Sequence, residues 1–194
     1  MITQRFNMNP GWKNYSHINR QYLGLSQFLV WLHSKSDLTH NQPLKMLEIG
    51  CSMGESTMMF ASSGLFCEIN CIEPFEGYEE FNELFDYDWE LVKKEYLTNT
   101  RYWDYIRLWE DYSYNVVDEF EDEYFDLIYI DASHEYEDVK RDLVQYLPKL
   151  KKQSSIISGH DYAHRWWGVV NAVGEVVGVP HQVFLDSTWV YHFK

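Results

Sequence analysis

Basic residues are scarce in this chain. Its 194 residues carry 16 Lys and Arg against 30 Asp and Glu, a formal net charge of −14 at pH 7. A surface of that sign repels polyanions, which excludes nucleic acid and anionic membrane as main partners. A long apolar run is missing too, and the N-terminus is polar, so neither a transmembrane span nor a signal peptide is expected. Cysteines are few and odd in number, and Cys51, Cys67 and Cys71 show no paired metal-ligand spacing. Cys67 and Cys71 flank a strand-like stretch and are expected as buried thiols. Taken together, these features read as a cytoplasmic chain. There is also no repeat, linker or low-complexity tract, no serine nucleophile elbow, and no lysine completing a phosphate loop after the glycines.

What is present fits one α/β domain over residues 1–194, with an N-terminal arm and helix over 1–40 and a core over 41–194. Aromatic residues are abundant, 18% of the chain, and either fill a core or line a pocket. The acidic excess gathers in 76–95 and 110–126, as solvated helix faces do. Residues 1–20 are polar and aromatic, an arm or a lid. Helical spacing of Tyr22, Leu25, Phe28, Leu29 and Leu32 marks a helix over 21–34. Strands are expected at 44–49, 68–73, 125–130 and 155–158, with 102–108 leading into another. Helices are expected at 55–63, 76–95, 113–120, 135–147 and 168–177, and a closing hairpin at 181–185 and 188–193. Strand and helix alternate, which predicts a mostly parallel sheet covered on both faces, with the hairpin reversing one strand.

The run Leu44-Lys45-Met46-Leu47-Glu48-Ile49-Gly50-Cys51-Ser52-Met53-Gly54-Glu55-Ser56-Thr57 is the most telling. An apolar strand breaks on two glycines four apart and resumes as a helix. Such a loop presents backbone N–H groups to a cofactor. The third glycine of a dinucleotide fingerprint is absent, which disfavours a nicotinamide or flavin. Glu48, Gly50, Ser52, Gly54 and Ser56 are therefore candidate cofactor-binding residues.

Open α/β sheets bind ligands at the carboxyl ends of their strands. Glu73, about 20 residues beyond the glycine loop, stands where a carboxylate accepts hydrogen bonds from ribose hydroxyls; an ordinary cap of the next turn is the alternative. Asp111 and Ser113 follow the third strand, as an adenine contact or as local helix caps. Asp131 and His134 end the next strand, and His160-Asp161 ends the one after it. Asp131, His160 and Asp161 are candidate ligands of a divalent cation, Mg²⁺, Ca²⁺ or Mn²⁺ by their oxygens and Mn²⁺ or Fe²⁺ with the imidazole added. His160 bonding only the sheet edge is the alternative. His134 has the intrinsic pKa of a general base, or is simply a neighbour of the helix N-cap. Trp166 or Trp167 can wall an acceptor pocket by stacking on a flat or sugar ring.

With these residues in place, the chain resembles the class I S-adenosylmethionine-dependent methyltransferases over roughly 40–194. Residues 47–56 resemble the first motif of that superfamily. Phe125-Asp126-Leu127-Ile128-Tyr129-Ile130-Asp131-Ala132-Ser133-His134-Glu135-Tyr136 and Ser158-Gly159-His160-Asp161-Tyr162 resemble small-molecule O-methyltransferases of the catechol-type and macrolide-sugar group. The resemblance implies a Rossmann-like, doubly wound, seven-stranded sheet with a reversed C-terminal hairpin strand. It implies S-adenosylmethionine as cofactor, with Gly50, Gly54 and Ser56 at its methionine end, Glu73 at the ribose, Ser113 on the adenine side, and Asp131 beside it as first metal ligand. Where the catechol-type pattern has lysine, this chain has His134; where it has Asp-Asn or Asp-Asp, this chain has His160-Asp161. The implied reaction is in-line methyl transfer to a hydroxyl of a small molecule such as a sugar, phenol or polyketide, His134 taking the proton. A metal-independent methyltransferase on another acceptor atom, a non-catalytic S-adenosylmethionine-binding module and, third, a dinucleotide oxidoreductase are the competing readings. A second copy of the chain is a candidate partner through the aromatic arm.

Overall fold

The computed structural model describes residues 18–35, 42–76 and 88–194. In chain order the elements are α1 (Ile18–His33), β1 (Leu44–Ile49), α2 (Glu55–Ser62), β2 (Phe66–Ile72), α3 (Trp89–Thr100), β3 (Ile106–Trp109), α4 (Ser113–Val116), β4 (Leu127–Ile130), α5 (Tyr136–Tyr146), β5 (Ser155–Gly159), α6 (Trp167–Val176), β6 (Gln182–Val183) and β7 (Trp189–Phe193). Of the arm or lid expected over 1–20, residues 1–17 lie outside the described residues, as do residues 77–87 of the expected acidic helix, while residues 18–20 belong to α1.

The seven strands form one sheet in the order β3-β2-β1-β4-β5-β7-β6. β1 to β5 run parallel, β7 runs antiparallel to β5, and β6 antiparallel to β7. This is the mostly parallel sheet with one reversed hairpin strand that the alternation of elements predicted, doubly wound and seven-stranded as the resemblance implied. Each central strand is apolar on both faces because helices cover both. Along β4, Leu127 and Tyr129 enter a layer with Phe28 of α1, Phe60 of α2 and Tyr96 of α3. Ile128 and Ile130 enter the opposite layer with Val116 of α4, Leu143 of α5 and Val173 of α6. A strand buried on both faces needs this unbroken Leu-Ile-Tyr-Ile run rather than alternation.

Several boundaries differ from expectation for local reasons. The helix expected over 113–120 is α-helical only to Val116 and passes into a 3₁₀ turn over Val117–Glu119, because Phe120 turns extended and packs inward. The helix expected over 135–147 ends at Tyr146, and Pro148 sits near the start of a 3₁₀ turn, Leu147–Lys149, where its missing N–H is harmless. β6 is two residues long because Phe184 N–H donates to Thr188 O and Ser187 N–H to Phe184 O, closing a tight turn. β2 starts at Phe66, which enters the core, so Cys67 points outward and is exposed, against its expected burial; Cys71 is buried. Among the described residues no helix is long and apolar enough to cross a membrane.

One buried charge anchors the first layer. Glu48 shares a face of β1 with Met46 and is fully buried. Its carboxylate accepts from Ser56 Oγ and Thr57 Oγ1, both at 2.5 Å, and so ties β1 to the first turn of α2. Burial pushes its pKa up to about 7, even with those two hydroxyl bonds working the other way. A carboxyl raised in the folded state contributes stability in full below its unfolded pKa and loses it as pH rises through the folded one. Between pH 5 and 8 the wild type is expected to lose roughly 2–3 kcal/mol more unfolding free energy than Glu48→Gln, whose amide both accepts from and donates to these hydroxyls. Urea titrations at both pH values measure it; parallel losses in the two proteins refute the assignment. Gly174, in α6, has nothing within 4 Å of where a Cβ would stand. Gly174→Ala is expected to stabilise by up to about 1 kcal/mol, read as a higher melting temperature.

Candidate active site

The site lies where the strand order reverses. From β1 the chain winds outward through β2 and β3, and from β4 it winds the other way, so a crevice opens at the carboxyl ends of β1 and β4. The β1 end carries the glycine loop, in which Gly50 (φ 82°), Ser52 (φ 43°) and Gly54 (φ 76°) are all left-handed. At Gly50 the conformation and the space both demand glycine: an added Cβ would lie 2.1 Å from the Asp131 carbonyl oxygen. The loop and the β4 end are thus in backbone contact, with Asp131 N–H donating to Ile49 O at 2.8 Å.

The other candidates on this side have defined places. Glu73, at the end of β2, turns back on the loop: Oε2 accepts from Cys51 N–H at 3.1 Å and Ser52 N–H at 2.9 Å, and Oε1 from Phe75 N–H at 3.3 Å. A carboxylate has about four acceptor positions, so capacity remains for a hydroxyl. Burial raises its pKa against the three backbone bonds. Glu48 and the Ser56 hydroxyl bond one another beneath the loop, so these two side chains support it from below. Asp111 is exposed and caps its own turn, accepting from Tyr112 N–H at 2.7 Å and Asn115 Nδ2 at 2.8 Å. Ser113 is buried, and its hydroxyl donates to Asp142 Oδ1 at 2.5 Å, joining α4 to α5.

At β4 and β5 the sequence candidates come together. Asp161 adopts a left-handed φ of 59°, which aspartate tolerates better than most residues and which turns its carboxylate toward β4. Its Oδ2 accepts from His134 Nε2 at 2.9 Å and from His160 Nδ1 at 3.0 Å. His160 Nδ1 also lies 3.8 Å from Asp131 Oδ1. Burial alone would raise the Asp161 pKa, but the two imidazole bonds hold it well below the usual carboxylate range. Asp131 accepts no such pair, and burial pushes it up to about 6, with His160 opposing and Asp161 adding to the rise. Burial works to lower His160, yet the Asp131 charge and the Asp161 hydrogen bond outweigh it and raise it to about 9.

Asp131, His160 and Asp161 offer donor atoms all within 4.8 Å of one another, the group of that kind found among the described residues. His160 Nε2 is buried with no hydrogen-bond partner among them. Two carboxylates and an imidazole at that spacing suit a divalent cation.

Three residues at this site were not read as functional from the sequence, or not in their actual role. Tyr22, which looked like part of an apolar stripe, hydrogen-bonds Glu55 at the start of α2, and burial raises its phenol well above the ordinary value. Asp186, in the β6–β7 turn, accepts from Leu25 N–H at 2.8 Å and Thr188 N–H at 2.9 Å, and its charge reaches Asp131 and His160. Nothing in a turn aspartate signals such long-range contacts. Trp166 stacks on His134 itself, with ring centroids 3.9 Å apart and planes 15° from parallel.

Comparison with known proteins bears on this arrangement. The model of a methyltransferase-domain family matches residues 47–162, more than half of the chain, and spans every strand end described above. The uncharacterized protein y4gI of Sinorhizobium fredii is 26% identical over 153 residues; the match covers 73% of this chain but only 16% of that much longer protein. The O-methyltransferase NovP has a similar structure, with a TM-score of 0.63 and 14% identity over 87% of this chain and 80% of its own. CalS11, a TDP-rhamnose 3'-O-methyltransferase of calicheamicin biosynthesis, gives a TM-score of 0.56 at 15% identity over 86% of this chain and 79% of its own. These two likenesses are of fold. The family match, on a sheet with a glycine loop at its switch point, places the chain: it belongs to the methyltransferase-domain family.

Proposed function

We propose that the chain transfers a methyl group from S-adenosylmethionine to a hydroxyl of a small molecule, assisted by a divalent cation. The observation that carries the reading is the position of His134. It is an imidazole held on an ionised carboxylate, at a strand end whose backbone touches the cofactor loop. The names of NovP and CalS11, both O-methyltransferases of similar fold, support a hydroxyl acceptor. S-adenosylmethionine, when bound, supplies an activated methyl on a sulfonium, so the protein has to position the partners and remove one proton.

The chain's own groups fit that task. The glycine loop, with Glu73 behind it, holds the cofactor, and its contact with Asp131 sets cofactor and acceptor side by side. His134 takes the acceptor proton, and Asp161 stabilises the resulting imidazolium, as a carboxylate bonded to a ring nitrogen does. Asp131, His160 and Asp161 would hold the cation, which would lower the pKa of an acceptor oxygen. The net charge of −14 supports an acceptor that is not a nucleic acid. We further take the whole of 1–194 as one methyltransferase domain, working in the cytoplasm, with a second copy of the chain as the partner to test.

A metal-independent transfer is the second reading, favoured by one observation. His134 and His160 both bond Asp161 Oδ2, so Asp161 is already compensated without a cation. Demethylated cofactor released from S-adenosylmethionine, measured over a panel of sugars, phenols and polyketides, tests the activity. EDTA treatment is expected to abolish turnover, with Mn²⁺, Fe²⁺ or Mg²⁺ restoring it and Asp161→Asn preventing restoration. Full activity in EDTA selects the second reading. His134→Gln is expected to lower kcat roughly 10²–10⁴-fold in either case, the range of general-base catalysis. Unchanged kcat in that variant removes His134 from the mechanism.

A further inference from the structure

We propose that Trp166 is a positioning residue that fixes the ring plane of His134; the inference rests on His134 being the base, as read above. One hydrogen bond, such as that from Nε2 to Asp161, does not by itself remove an imidazole's freedom to turn about its broad terminal torsion. A flat partner at stacking distance removes that freedom. The indole supplies it, with 3.9 Å between centroids and 15° between planes.

The backbone that carries the indole is itself held. The Trp166 main-chain N–H donates to Ala163 O at 2.8 Å, and its main-chain carbonyl accepts from Val170 N–H at 3.2 Å in the first turn of α6. Two residues on, a Cβ added to Gly168 would fall 2.1 Å from His134 O and 2.8 Å from Tyr136 N. The turn that carries the indole therefore sits directly on the backbone that carries the imidazole. Side chain and main chain of His134 are gripped from the same turn, while Asp161 holds the ring edge. The Arg165 guanidinium lies over the same indole, 5.1 Å from its centroid. His134 stacks on one face of the indole, so that face is closed to an acceptor ring. Trp167, the other candidate for stacking on an acceptor ring, is 53% exposed. A proton acceptor must be held within roughly 10–20° of its productive orientation, which is the tolerance a stacked plane provides.

The test compares Trp166→Leu with Trp166→Phe, which keeps a flat ring. Where Trp166→Leu fails to fold, Trp166→Met replaces it. Carbethoxylation of His134 by diethyl pyrocarbonate, followed by peptide mass spectrometry with exposed His33 as internal reference, reads the hold on the ring without any turnover. Trp166→Leu is expected to speed labelling of His134 about tenfold, the scale of one lost aromatic pair, and Trp166→Phe to stay near wild type. In turnover, Trp166→Leu is expected to lower kcat roughly 10–100-fold at unchanged KM for S-adenosylmethionine, with Trp166→Phe restoring most of it. Unchanged labelling, unchanged kcat, or a phenylalanine variant as impaired as the leucine one overturns the proposal. A wild type that turns over no acceptor refutes the O-methyl-transfer reading, while the labelling rates still decide whether Trp166 holds the ring.

Discussion

The contact between Gly50 and the Asp131 carbonyl is the constraint on which the rest of the site depends. It brings the ends of β1 and β4 together at the point where the sheet reverses its winding, with no side chain between them. The glycine loop and the β4 end are thereby held against one another. Glu73 and Glu48 reinforce it from two directions, one bonding the loop's backbone and the other the helix that follows. A side chain at position 50 would separate the two halves, and no rearrangement of neighbours relieves a clash between two main chains.

The two aspartates at the strand ends show how one environment sets opposite ionisation. Asp161 receives two imidazole hydrogen bonds on a single oxygen and stays charged. Asp131 has His160 only at 3.8 Å and is raised toward neutrality by burial. The number of donors within reach separates them, and pairs of titratable groups pushed apart in this way are the usual mark of divided roles in catalysis.

The sequence was legible wherever the information is local. Strand ends, the glycine loop, Glu73, Asp131, His134, His160 and Asp161 all follow from runs of a few residues, and the topology places them on one edge. The sequence was misleading where a side chain's partner comes from a distant element. Ser113 looked available to a ligand until Asp142, 29 residues on, took its hydroxyl. Trp166 looked like a pocket wall, but one of its faces is covered by a histidine two elements earlier. Cys67 sits at the start of a strand, where alternation alone could not say which neighbour faces in. Periodicity reports a face, not the group that will meet it.

Asp186 has a consequence for how the fold is assembled. Its carboxylate receives the Leu25 amide across 161 residues and fills the space beside Gly24. During synthesis α1 is made well before this docking partner, which lies beyond five parallel strands of the sheet. The helix that brings Tyr22 to the glycine loop therefore waits, undocked at this point, until the closing hairpin exists. Loop closure over so long a span is entropically late. The Leu25–Asp186 contact forms only after the closing hairpin, so the docking of α1 at this point reports a completed sheet.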